Sequence, residues 1–464
     1  MDRCQALNSM MAMTSTIQKL DISLSGEDNQ AVRCLIRSSQ LRFTAINDSG
    51  IPFLTELLPL ATQFATIKNA LLALAKVLRT DSSRRSVSSS SAVALESYHI
   101  ALKTLRERIA ILDVSEASDA DVLEVLGAAL LLTIAGFPGS SQDSTAWSHH
   151  IVGLITLIES LGPSAIDATV LGTLVKEIVA YLDISAFSLG RPPKSRNAWL
   201  RWHIHPPETP PTDDFTSLEV AVGYPRSLLT IIATLSAIFD GPDEDTMPIL
   251  SDLLERLYSN STGGLCQPIW PAGSELSHED GIGMSPGVFN KLDAALTLWN
   301  PPYIPKRLPE MVSIALAGAW EIMRKAALLY LWRGGFRANI LAPLPAEKTV
   351  LVSKLIREML FGYRALLTYL ENDSITILNV MTWPLVVVGN ECGGDHRTQH
   401  EVSQLISLIQ ESFQIQHLSH VSNVLEELWR RHEAQSESFM TTGQAQHLCL
   451  NDVSNDMGVC VPLF

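Results

Sequence analysis

Apolar side chains return once per helical turn along most of this 464-residue chain, and that period constrains its fold more than any other feature. Ile67, Ala70, Leu71, Leu74, Ala75 and Leu78 fall at i, i+3, i+4, i+7, i+8 and i+11. Leu250, Leu253, Leu254, Leu257 and Tyr258 repeat the pattern, as do Val352, Leu355, Ile356, Met359 and Leu360, and then Val402, Leu405, Ile406, Ile409 and Phe413. Residues so spaced share one face of an α-helix. No convincing alternating segment exceeds about four residues, so half-buried strands lack their signature. Val386, Val387 and Val388 are β-branched but follow Trp383 and Pro384, and proline in a first turn suits a helix start. The pattern predicts an all-α fold, a large irregular multi-helix domain of packed helical hairpins.

Punctuation between the stripes sets the expected organisation. Ser118 and Asp121 have capping-box spacing before the apolar run from Val122, with Asp in place of the usual Glu; that helix is expected to stop near Gly136 to Gly139. Asp81 to Ser91 reads as a Ser-rich loop between two helices. Arg191 to Pro193 and His205 to Asp214 are Pro-rich and bracket Trp199 and Trp202, so a soft internal boundary is expected over 191–215. Asn260 to Pro286, rich in Gly, Ser and Pro, reads as surface chain. Residues 1–48 are expected to be a poorly ordered N-terminal segment, 49–442 the helical body, and 443–464 a flexible tail of weak periodicity.

Composition narrows the function classes. Hydrophobic residues make up 46% and charged ones only 18%, the profile of a core-rich body and not of a disordered activator. The formal net charge of −15 repels a nucleic-acid duplex unless a local basic face compensates. The strongest basic clusters, Arg84–Arg85 and Arg430–Arg431, are too short for a DNA-binding arm and read as solvated surface. The six cysteines, Cys4, Cys34, Cys266, Cys392, Cys449 and Cys460, form no C-x-x-C pair, which fits free thiols in a reducing compartment. Met1 to Leu24 lacks the apolar run of a secretory signal. The apolar stretch from Val125 to Phe137 falls short of the roughly 20 residues that cross a membrane, and Glu321, Arg324 and Lys325 interrupt the one from Met311 to Trp332. No membrane span is expected.

A search for chemistry assigns no catalytic, cofactor-binding or metal-ligating residue, and no cofactor. There is no phosphate-binding loop, and Gly281 to Gly287 reads as a plain loop. No G-x-S-x-G elbow occurs. His396 and His400 share a helix face beside Glu401, but Arg397 stands where a metalloprotease needs glutamate. His203 and His205 flank Ile204 in a Pro-rich zone, and the adjacent His149 and His150 point to different helix faces. Asp119, Asp121 and Glu124 open a helix, where negative charge suits the dipole; Asp243, Glu244 and Asp245 read as a solvated turn. The nine tryptophans read as core, with the alternative open that some line a small-molecule cavity between helices.

Seven segments, in order along the chain, resemble the fungal-specific transcription factor domain, the helical regulatory domain of zinc-cluster transcription factors. LLPL at 57–60 with ALLALA at 70–75 looks like its opening helices, and YHIALKTL at 98–105 resembles its Y-x-x-A-L-x-x-L segment. WSHHIVGLITLI at 147–158 is similar to its W-x-x-H-x-x-G-A-x-x-L-I helix, and GYPRSLL at 223–229 to its G-x-x-x-x-L-L start. AALLYL at 326–331 resembles A-x-L-L-Y-L. WPLVVVGNE at 383–391 resembles W-P-L-F-x-A-G-x-E, with Arg397 at the basic position that follows, and Leu428 to Arg431 falls at a late V-W-x-R. Over 49–442 the resemblance implies an all-α regulatory domain acting in the nucleus on metabolic or secondary-metabolite genes. Its partners would be other proteins of the transcription machinery or a DNA-binding partner, with a small-molecule effector and a homodimer both open.

The family's six-cysteine zinc cluster is not matched, since only Cys4 and Cys34 lie in the first fifty residues; direct DNA binding is therefore not expected of this chain. A non-enzymatic regulator or co-regulator is the expectation. A helical scaffold without a transcriptional role, and a metabolite-tailoring enzyme, are the alternatives.

Overall fold

The computed structural model describes residues 25–43, 45, 52–82, 87–113, 116–137, 145–191, 194–204, 217–261, 286–306, 308–342, 344, 346–369, 376–413, 415–442 and 447–463. Helices dominate them, as the periodicity requires. The first half holds α1 (Gly26–Phe43), α2 (Pro52–Ala61), α3 (Ala65–Ser82), α4 (Val87–Ile111), α5 (Asp119–Gly136), α6 (Ala146–Leu161), α7 (Pro163–Ile166) and α8 (Val170–Asp183). After the short strand β1 (Ser188–Leu189) come α9 (Ala198–Arg201), α10 (Ser217–Val222), α11 (Arg226–Asp240), α12 (Thr246–Ser261) and α13 (Pro286–Thr297). The last part holds α14 (Glu310–Arg333), α15 (Ala346–Leu367), α16 (Thr382–Asn390), α17 (His396–Phe413), α18 (Leu418–Thr442), α19 (Leu450–Asp456) and β2 (Val461–Pro462). Sequence neighbours pack on each other, α3 on α4, α5 on α6, α12 on α13, α14 on α15 and α17 on α18, so the architecture is a set of helical hairpins.

Three helices are apolar on nearly every side and form the centre. In α5, Val125, Leu126, Ala128, Leu130, Leu131 and Leu132 are all fully buried, and Gly127 lets Leu57 approach to where a Cβ would sit only 2.6 Å from it. All nine residues of α16 are buried. In α14, Trp320, Met323, Ala326 and Ala327 face inward from successive turns. The α5 start is capped as its sequence predicts: Asp121 N–H donates to Ser118 Oγ at 3.3 Å, and Ser118 N–H to Asp121 Oδ2 at 3.1 Å. Arg108 reaches back from α4 to Asp121 and, at 2.7 Å, to Glu124. The helix closes at Gly136, as expected; Pro138 and Gly139 lie outside the described residues. Helix α16 starts one residue before Trp383–Pro384, also as expected.

Four expectations are corrected. Ser88 to Ser91 belong to α4 and not to a loop, because serine costs little in a first helical turn when an apolar stripe follows; residues 83–86 lie outside the described ones. Within the segment expected to be poorly ordered, α1 forms, buries Ala31, Val32 and Leu35, and pairs Asp28 with Lys76 of α3 at 2.8 Å. Among the described residues no break separates the halves near 191–215: one apolar core runs from Ala31 to Leu463 and includes Ala198, Trp199 and Leu200. Residues 192–193, 205–216 and 262–285 lie outside the described ones.

The fourth correction concerns the C-terminal segment. Residues 447–463 are packed, not flexible. Leu450, Val453 and Leu463 are fully buried, β2 pairs antiparallel with β1 in the register Ser188–Pro462 and Leu189–Val461, and Leu463 N–H donates to Phe187 O at 2.8 Å. Trp147 of α6 donates its indole N–H to Cys460 O across 313 residues of sequence. A seven-residue helix and a two-residue strand carry too few positions to show a period; tertiary burial holds them. Leu463→Ala is expected to cost about 2–5 kcal/mol of stability, read from the midpoint of denaturant unfolding, where a free tail would leave the midpoint unmoved.

Candidate functional site

The motifs that carry the family resemblance meet one another inside the core. Tyr98 Oη of the second lies 2.6 Å from His150 Nε2 of the third, their rings edge to face. Gly223, at φ +71°, opens the fourth; a Cβ there would stand 2.5 Å from Ile377 and 2.6 Å from Ala45, so only glycine fits both the backbone and the space. Its carbonyl accepts the Trp320 indole N–H at 2.8 Å. Arg226 in the same motif is buried against Glu177 at 2.6 Å and Glu219 at 3.6 Å. Arg333, just after the fifth motif, donates Nε to both carboxylate oxygens of Glu391 at 2.8 and 2.9 Å, a forked pair in which Glu391 is nearly inaccessible. Gly389 O accepts the Trp429 indole N–H at 2.8 Å. The indoles of Trp199, Trp299 and Trp332 likewise find Thr230, Ser227 and Asp293. Core packing is thus the use these tryptophans are put to; Trp270 lies outside the described residues.

One polar cleft opens beside this core. Asp183 ends α8 fully buried, and its carboxylate accepts from Arg191 Nη2 at 2.7 Å, Ser195 Oγ at 3.0 Å, and the backbone N–H of Arg196 and Ala198 at 3.0 and 3.1 Å. That knot draws residues 194–198 back against the end of α8. It sets Phe187 among Tyr181, Tyr224 and Trp383, with ring centroids 5.1 to 5.3 Å away, and it aims Arg191, Lys194 and Ser195 at the ends of α11 and α14. There Lys194 Nζ donates to Asp240 O at 3.2 Å, and Arg337 pairs with Asp240 Oδ1 at 3.1 Å. Arg191 Nε and Asp240 Oδ2 are buried without a protein partner. Asn451 of α19 closes the far side. The cavity holds about 30 Å³, room for one or two waters. Arg191, Lys194 and Arg337 meet two carboxylates, Asp183 and Asp240, and the one positive charge in excess favours an anionic group.

A second, open feature lies on the outer surface. Arg364 and Leu367 of α15 and Arg397, His400, Gln404 and Leu408 of α17 line a groove of about 520 Å³. Arg364 forms an ion pair with Glu401 at 2.5 Å. Phe361, one turn before Arg364, stands 70% exposed. In the sequence His400 and Glu401 stand out only beside a broken metal motif, and Arg397 as the residue that breaks it and as a basic position of the family resemblance. Arg364 and Phe361, like the cleft residues Arg191, Lys194, Asp240 and Arg337, come from separated segments with no motif to join them.

The remaining sequence candidates separate. His396 Nδ1 lies 3.2 Å from Gln399 and His400 Nε2 2.9 Å from Gln404, so the two rings do not converge on one point. Burial, with His149 and Arg106 nearby, holds His150 below the ordinary imidazole range. His203 adopts φ +50° and His205 lies outside the described residues. Asp243 caps α12 by accepting the Thr246 N–H at 2.8 Å. Arg430 and Arg431 are both spent on Glu427, with Arg431 also on Asp456. Cys34 is exposed and Cys392, Cys449 and Cys460 are buried; among the described residues no set of thiols forms a zinc cluster, and Cys4 and Cys266 lie outside them. No described helix is long and apolar enough to cross a membrane.

A family model described as "Fungal specific transcription factor domain" matches residues 37–441. No curated protein matches the chain, and no solved structure does.

Two outcomes follow from this geometry. Asp183→Ala leaves Arg191 buried and unpaired and is expected to cost about 3–5 kcal/mol in denaturant unfolding. His150, depressed when folded, binds its proton better in the unfolded chain, so the stability its neutral ring contributes is complete above about pH 6.5 and lost as pH falls below it. His432, depressed by burial as well, adds the same sign. Thermal unfolding of His150→Gln is expected to fall less between pH 7 and 5 than that of the parent chain.

Proposed function

Because the chain belongs to the fungal-specific transcription factor domain family, we propose that it regulates transcription of metabolic or secondary-metabolite genes in the nucleus, through contacts its helical body makes with other proteins. The family match across residues 37–441 carries this reading. The charge balance supports the choice of protein over DNA: at −15 the chain repels a duplex, and its Arg430–Arg431 pair is neutralised by carboxylates of its own surface. DNA is then read by a partner. The groove between α15 and α17 is the surface offered to that partner, with a leucine floor for an apolar face and Arg364 and Arg397 at its rim for acidic residues. The Arg191–Lys194–Arg337 cleft is the place for a small anionic effector, which would act by loosening or seating the C-terminal segment. The chain works without catalysis in this reading, as a co-regulator.

Purified chain is expected to leave a promoter duplex unretarded in a gel-shift assay at physiological salt, while deletion of its gene shifts the transcripts of a defined set of genes. Retardation of the duplex by the chain alone would overturn the partner-borne DNA contact; an unchanged transcript profile would overturn the regulatory role. Phe361→Asp, at an exposed position, is expected to reproduce the deletion profile with the unfolding midpoint unchanged.

A further inference from the structure

Among the described residues one group of side chains has the composition of a metal site: His447, Cys449 and Asp452, whose ligating atoms all lie within 4.8 Å of one another. His447 Nδ1 and Asp452 Oδ2 are 3.4 Å apart. A tetrahedral ion that holds a nitrogen and an oxygen at about 2.0–2.2 Å sets them about 3.4 Å apart. The third ligand, Cys449 Sγ, already accepts the Asp452 backbone N–H at 3.3 Å, the type of outer hydrogen bond that orients a ligand and steadies its charge.

The backbone holds the three in place before any ion arrives. Leu448, between the histidine and the cysteine, donates its N–H to Asn339 Oδ1 at 3.1 Å and accepts the Ile340 N–H at 2.9 Å. Leu450 and Val453 are fully buried and fix α19 from beneath. A cation therefore meets a set of ligands whose ordering entropy the fold has already met. Sulfur, imidazole and carboxylate together suit a borderline-soft ion; calcium and magnesium need oxygen on every side.

We propose that His447 Nδ1, Cys449 Sγ and one Asp452 carboxylate oxygen bind a single zinc ion, with water at the fourth vertex. The His447 and Asp452 side chains are 55% and 61% exposed, so the fourth position faces solvent. Binding replaces the Cys449 thiol proton, which leaves to water, and joins residue 447 to the first turn of α19. Asn451, between the ligands in sequence, lines the polar cleft, so the ion holds the C-terminal segment against that cleft. This inference stands apart from the regulatory reading; it rests on ligand geometry alone.

Cobalt titration of the reduced, metal-stripped full chain tests it. One equivalent is expected to produce thiolate-to-cobalt charge-transfer absorption and intense visible bands, both bleached by added zinc. His447→Ala and Asp452→Asn alter exposed side chains and are expected to weaken binding at least about tenfold. Cys449→Ser, whose hydroxyl keeps an acceptor for the Asp452 N–H, loses the charge-transfer band, and Cys34→Ser does not. No charge-transfer band in the folded parent chain, or an unchanged binding curve in both His447→Ala and Asp452→Asn, would show an ion pair and a capping thiol with no metal role.

Discussion

The carboxylate of Asp183 is the interaction on which the centre of the molecule turns. A buried anion is tolerated only when its partners match it closely, and this one is answered by a guanidinium, a hydroxyl and two backbone amides, all from residues 191–198. Satisfying it closes a loop of chain. That loop delivers Phe187 to the aromatic cluster, Ser188 and Leu189 to the C-terminal strand, Trp199 to the core, and Arg191, Lys194 and Ser195 to the cleft. Residues 194–204, which lie between two Pro-rich stretches of the sequence, thus join one core and do not link two.

The family's motif residues serve the same end. Tyr98 with His150, Gly223 with Trp320, and Gly389 with Trp429 each join parts of the chain distant in sequence, as does Arg333 with Glu391. These pairs define how the helices sit, not what the surface touches. Changes at exposed positions outside these pairs cost the fold little stability. What distinguishes this protein is then sought at Phe361, Arg364 and Arg397 on the outside and at the cationic cleft within.

Long elements were legible in the sequence and short ones were not. The stripes at 67–78, 250–258, 352–360 and 402–413 lie in α3, α12, α15 and α17, because many residues vote for one period. The Ser118–Asp121 cap and the helix at Trp383–Pro384 could be read for local reasons. The packed segment 447–463 could not: its burial depends on Phe187, Trp147 and Asn339, hundreds of residues away in part. The cleft escaped for the same reason, being assembled from four separate stretches. His447, Cys449 and Asp452 sit within six residues of one another, yet a search for paired cysteines passes over a mixed set whose convergence depends on the backbone clamp at Leu448.

A helical body that changes transcription through what its surface recruits carries that effect to any promoter it is brought to. Fusing the whole chain to an unrelated DNA-binding module, upstream of a reporter gene in a fungal host, measures that directly. Reporter output is predicted to rise or fall severalfold relative to the module alone. Output equal to that of the module alone, with the fusion folded and nuclear, would contradict the account.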